Sequence, residues 1–184
     1  AVRFNFFKHA YSSLGDDFNN DIDQVKISQE AVKFKLGALE SAPDDVDVVR
    51  FPALWNNLMK IHAQVYYTAE ALDKLDVLHT PVFNAINLQG NRLQNERQIG
   101  SLFAEHGVTA EDFEKAFNSF SVRTKVNQAE KRMQDYQIRS TPNMIVNGKY
   151  LVTTGQNVPT QEEMLEVVEF LVEKERRMLG SSGE

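Results

Sequence analysis

Four residue types decide what chemistry this chain could perform, and the first is missing: none of the 184 residues is cysteine. Thiol–disulfide exchange requires an attacking thiolate, so these residues cannot carry it out. The four histidines, His9, His62, His79 and His106, show neither the HExxH pattern nor two-turn ligand spacing, and no cysteine joins them, so no metal site is expected. Asp16, Asp17, Asp21 and Asp23 lack the glycine and terminal glutamate of a calcium loop and are expected on a solvated surface. Hydroxyls are left at Ser12 and Ser13, after an aromatic run, and at Thr141, next to Pro142 in Ser140-Thr141-Pro142-Asn143-Met144-Ile145-Val146-Asn147-Gly148-Lys149-Tyr150-Leu151-Val152. In that last segment an X-Pro loop enters an apolar run, an Asn-Gly turn signal follows, and a second apolar run closes a hairpin.

The elements that must position these groups follow from the pattern of apolar residues. Residues 1–7 have strand-like aromatic content with partial alternation, and 46–51 form a second apolar strand. Between them, a helix is expected over 29–41 behind Ser28 as N-cap, ended by Pro43-Asp44-Asp45. From Ala53 to Leu75 the residues Leu54, Leu58, Ile61, Val65, Tyr66, Ala69 and Leu72 keep helical spacing. Further helices are expected over 80–88, 95–106, 109–120 and 121–138, with Thr109 and Asp112 as a capping pair. Trp55, Tyr66 and Tyr67 are expected to pack rather than to hold a cofactor. A last helix starts at Thr160 with Glu163 and turns Met164, Val167, Val168 and Leu171 inward. Strand, helix, strand, helical block, hairpin and helix make an α/β chain with a helical insertion.

Composition narrows the partners. With 42% hydrophobic and 25% charged residues the chain can bury a core. Its net charge of -6, from 20 Lys and Arg against 26 Asp and Glu, leaves no basic stripe for nucleic acid. No apolar run approaches the roughly 18–20 residues of a membrane span, so no membrane insertion is expected.

The segment from Ser140 to Val152 resembles the proline loop and following hairpin of thioredoxin-fold proteins, most closely the DsbA-type thiol:disulfide oxidoreductases. Pro52-Ala53-Leu54-Trp55, the run from Tyr66 to Leu72, Phe117-Asn118-Ser119-Phe120 and Glu173-Lys174-Glu175-Arg176 are similar to segments of the same family, in the expected order. The resemblance implies an α/β thioredoxin-like fold with an inserted helical domain: 1–51 and 139–184 form the thioredoxin-like domain and 52–138 the insertion. It also implies a cis bond before Pro142 and a groove in which Thr141 and Pro142 bind extended polypeptide, Thr141 offering backbone groups by strand addition. The family introduces disulfides into exported proteins in the periplasm, and a cysteine-bearing parent would have a membrane redox partner.

At the front of the chain the resemblance fails. The family places a Cys-x-x-Cys pair at a helix N-terminus, where the thiolate is stabilised. Counting back from the 39–45 segment puts that pair near 25–28, and counting on from the 2–7 strand puts it near 10–13. The two registers do not coincide, and neither holds a sulfur. Three explanations stand side by side: a natural redox-dead relative, an engineered or altered version, or a sequence whose front end does not faithfully report the gene. No catalytic residue, cofactor or metal is therefore expected. One alternative is a non-catalytic peptide-binding or chaperone-like module. Another is suggested by Phe7 to Gly15, faintly similar to kappa-class glutathione transferases, in which Ser12 or Ser13 would stabilise the glutathione thiolate. That class has Ser-Pro where this chain has His9-Ala10.

Overall fold

The computed structural model of the chain describes residues 2–7 and 46–180. The helix expected over 29–41 lies outside the described residues, as do His9, Ser12, Ser13 and the four aspartates of the acidic run.

The described residues fall into two compact units, one of 2–7, 46–51 and 138–180, the other of 52–137. In the first, four strands form one sheet in the order β2-β1-β3-β4. Strand β1 (Val2–Phe7) is central, parallel to β2 (Val46–Phe51) and antiparallel to β3 (Asn143–Val146), and β4 (Tyr150–Thr153) lies at the edge, antiparallel to β3. All four residues of β3 are buried, whereas β4 alternates, with Val152 buried and Leu151 and Thr153 exposed. That is the contrast expected between a strand covered on both faces and one covered on a single face. Asn147 and Gly148, at φ 51° and 71°, form the turn between them, closed by the Lys149 N–H to Val146 C=O bond at 3.0 Å. Asparagine and glycine tolerate this left-handed backbone, which is why the Asn-Gly pair sets the hairpin.

One face of the sheet is covered by the last helix. Thr160 Oγ1 accepts the Glu163 N–H at 3.1 Å and caps it. The helix then presents Met164, Leu165, Val168, Leu171 and Val172 to Met144, Val146 and Val152. The residues expected inward are there, with Val167 partly buried at the margin.

The helical unit holds α1 (Asn57–Ala71), α2 (Leu75–Asn87), α3 (Glu96–Glu105), α4 (Ala110–Phe117) and α5 (Phe120–Asp135), and the terminal helix Gln161–Gly180 is α6. Polar side chains start four of the five: Asn56, Asn95, Thr109 and Ser119 each accept a backbone N–H three residues on, at 2.9–3.1 Å. Each cap contributes about 1 kcal/mol. Lys60–Glu130 at 2.7 Å and Lys125–Glu70 at 2.6 Å join α1 to α5. Both pairs are about 40% exposed, so packing outweighs them; exposed pairs of this kind supply at most about 1 kcal/mol.

Several boundaries depart from the sequence pattern, among them the end of the helix expected to run to Leu75, which stops at Ala71, and of that expected to run to 138, which stops at Asp135. The helix expected from Ala53 begins only at Asn57, behind the Asn56 cap, so Trp55 leaves the helical face and is 45% exposed. Tyr67 is buried, edge-on to Tyr66 at 5.3 Å. The helix expected from Thr80 begins at Leu75 and carries Pro81 in its interior. Leu78 and Val82, at 0% and 2% exposure, show why: burial on both sides of the proline outweighs a broken hydrogen bond. Finally, the stretch expected as one helix over 109–120 ends at Phe117, because Ser119 caps α5.

Phe103, at 0% exposure, is central to the helical core, its ring 5.1 Å from that of Phe113, which stands 5.1 Å from Phe117. Phe103→Ala is expected to lower unfolding free energy by about 3–5 kcal/mol. Urea denaturation followed by circular dichroism checks this, and a loss below about 1 kcal/mol would show the cluster to be non-essential.

Candidate functional site

The loop that enters β3 is built from Ser140, Thr141 and Pro142. The Thr141–Pro142 peptide bond is cis. Ser140 is exposed, Thr141 and Pro142 are half-buried, and Asn143 is 2% exposed. Asn143 Nδ2 donates to the backbone carbonyl of Ser140 and lies 3.5 Å from Ser140 Oγ. The side chain of the first strand residue thus reaches back across Thr141 and Pro142 and ties the loop to its own strand.

Strand register fixes where this loop stands. Asn143 pairs with Phe7 on one side and with Thr153 on the other. The chain therefore leaves the C-terminal end of β1 directly opposite the residue that follows Pro142. Thr141 and Pro142, the two residues expected to bind polypeptide, are adjacent to that exit.

The other end of β3 is held by a buried carboxylate. Glu175 on α6 is 1% exposed, and its Oε2 accepts from Asn147 Nδ2 at 2.5 Å and Lys149 Nζ at 2.7 Å. Lys149, then Asn147 and the Tyr150 hydroxyl, stabilise the ionised form, so its pKa lies below the ordinary carboxylate value despite the opposing effect of burial. Lys149 is correspondingly held above the usual lysine value, first by its bond to Glu175. Oε1 of Glu175 has no hydrogen-bond partner among the described residues. Lys174, next along α6, places its ammonium 5.0 Å from the Tyr150 ring centroid.

Neither Asn143 nor Glu175 was expected from sequence as a site residue. Glu175 carried a signal: it lies at i+4 from Leu171 and i+7 from Val168, both inward-facing, so it falls on the apolar stripe. A carboxylate there needs a buried partner. Asn143 opens a strand, a position asparagine disfavours unless its side chain bonds locally.

The remaining candidates are structural. His62 is buried, its Nε2–H donating to the Arg92 carbonyl at 2.8 Å, and burial lowers its pKa. His106 Nδ1 bonds the Leu102 carbonyl at 2.8 Å, at the end of α3. No group of His, Cys, Asp or Glu among the described residues could hold a metal ion. No described helix is long and apolar enough to cross a membrane. A cleft of about 460 Å³ in the helical unit is lined by Gln89, Asn91, Asn95, Gln98, Ser101 and Glu105, among others. Asn91, Asn95 and Gln98 already accept the backbone N–H groups of Leu93, Gln98 and Gln94, which accounts for these amides without a ligand.

Residues 23–166 match the family model of the DSBA-like thioredoxin domain. The chain belongs to that family. It is 37% identical over 134 residues to the thiol:disulfide interchange protein DsbA of Azotobacter vinelandii, covering 73% of this chain and 62% of the relative. It is 34% identical over 137 residues to DsbA of Pseudomonas aeruginosa, covering 74% and 64%. The chain thus spans less than two thirds of the length of these curated relatives. The crystal structure of Pseudomonas aeruginosa DsbA superposes with a TM-score of 0.79 at 27% identity, over 97% of this chain and 86% of that one. An oxidoreductase of Neisseria meningitidis, NmDsbA3, shares the fold with a TM-score of 0.75 at 20% identity. The fold is thioredoxin-like, and the DsbA-like chain has no cysteine.

Because the folded Glu175 carboxyl has a lowered pKa, its contribution to stability is present above its ordinary unfolded value and is lost as pH falls through the folded one. The raised Lys149 pKa works oppositely, its contribution fading as pH rises through a value above the ordinary lysine range. Glu175→Gln is expected to flatten the acid limb of the stability–pH profile, measured by urea unfolding from pH 7 downward. An unchanged acid limb would show that Glu175 does not hold the hairpin.

Proposed function

We propose that this DsbA-like chain is a periplasmic polypeptide-binding protein that holds extended segments of exported proteins against the Thr141–Pro142 loop. The observation that carries the reading is the loop's position: Asn143 pairs with Phe7, so Thr141 and Pro142 stand where β1 leaves the sheet. Thr141 would supply backbone hydrogen bonds to an added strand, and the half-buried Pro142 an apolar surface beside it. Similarity to proteins named thiol:disulfide interchange protein supports a polypeptide as the ligand.

Disulfide exchange by these 184 residues is excluded on chemical grounds. An exchange reaction forms a mixed disulfide between enzyme and substrate, and no residue here can supply the attacking sulfur. The oxidoreductase activity, and with it a membrane redox partner, belongs on this reading to relatives with the thiol pair. The domain division is proposed in the same terms: 1–51 and 139–184 as the thioredoxin-like domain that carries the loop, and 52–138 as the helical insertion.

The first test combines intact mass with a thiol count under denaturing, reducing conditions, followed by titration with a permanently unfolded probe, reduced and carboxymethylated lactalbumin. A matching mass, no thiol, and amide shifts concentrated around Thr141 are expected. Two thiols would make the protein an oxidoreductase instead. Unperturbed resonances around Thr141 at saturating probe would end the binding proposal.

A further inference from the structure

We propose that Asn143 is the positioning residue of the polypeptide-binding loop, its carboxamide fixing Ser140 to Pro142 in the shape that presents the Thr141 backbone; the binding part rests on the function proposed above. Asn143 is 2% exposed, and its Nδ2 donates to the Ser140 carbonyl and lies 3.5 Å from Ser140 Oγ. That bond closes a short ring over Thr141 and Pro142, leaving the loop little freedom to move as a hinge. Its base is fixed on both sides, since Asn143 pairs with Phe7 in β1 and Thr153 in β4.

The residue type supports the assignment. Side chains two apart in a strand point to the same face, so Ile145 is the natural comparison. Ile145 is 1% exposed and apolar, as expected for that environment. An amide buried two residues earlier is costly unless it is hydrogen-bonded, and among the described residues its side-chain bond goes to the loop. Packing alone would be served by an apolar side chain; leucine has the same branched layout of four side-chain heavy atoms, somewhat larger, and no polar atom. Asn143 touches no ligand on this view; it acts through Thr141.

Two variants separate positioning from stability. Asn143→Leu keeps the branched layout of the side chain and removes the donor, while Ile145→Ala removes core volume from the same face of the same strand. Asn143→Leu is expected to weaken binding of carboxymethylated lactalbumin tenfold or more. Ile145→Ala is expected to lower the melting temperature further yet keep affinity within twofold of the parent. Affinity within twofold in Asn143→Leu, or equal losses in both variants, would overturn the proposal. A readout without ligand keeps the two hypotheses apart: in Asn143→Leu the Ser140 carbonyl carbon should shift and Thr141 amide exchange should accelerate. If the parent binds no unfolded polypeptide but these changes appear, the function falls and the positioning role stands. If Ser140 and Thr141 resonances superpose on those of the parent, the positioning role falls. Should Asn143→Leu fail to fold, Asn143→Ser, too short to reach the Ser140 carbonyl, gives the same readouts.

Discussion

The thioredoxin-like unit depends on the register of one short strand. Strand β3 has four residues, all buried, between the central β1 and the edge strand β4. A slip of one residue would exchange Met144 and Val146, which face α6, for Asn143 and Ile145, and would place an amide in the apolar layer. Apolar burial therefore fixes the register, and the register sets Asn143 opposite Phe7. The loop's place at the end of β1 follows from hydrophobic packing before any functional requirement is considered.

Both ends of β3 are then secured by polar groups of different strength. At the turn, Glu175 binds Asn147 and Lys149 together, a charge-assisted contact of a side chain with 1% exposure. At the loop, Asn143 makes neutral bonds to Ser140. The turn-end contact depends on the ionisation of Glu175, so acid weakens it first, whereas the neutral amide bonds at the loop do not titrate. The loop is thus the less pH-sensitive end of the strand.

Much of this was legible in the sequence because the signals were local. The Asn147-Gly148 turn, the Thr160 cap, the Thr109 cap and the inward stripe of α6 each depend on residues within a few positions of one another. The misplaced boundaries have a different origin. Pro81 marks a helix start by propensity, yet burial of Leu78 and Val82 extends α2 back to Leu75. Ser119 is an ordinary polar residue in the pattern until it caps α5. Motif and resemblance single out Thr141 and Pro142 as the residues expected to bind polypeptide, and the cis bond between them is where that motif implies it. Asn143 and Glu175 were not legible, because their roles require knowing which buried groups lie near them.

The absence of cysteine changes the chemistry of the site without dismantling its frame. Thiol exchange on a polypeptide comprises two tasks, holding the chain and attacking its disulfide. On the proposed function the first falls to the 140–143 loop, which is held by its own bonds and, through Asn143, by pairing to β1 and β4. The second needs a thiolate, which none of the 184 residues can supply. The lack of cysteine rules out exchange by these residues, and the hydrogen bonds within 140–143 do not depend on a sulfur. On the proposed function, binding does not require exchange, and a chain that binds without a thiolate would release its ligand unchanged.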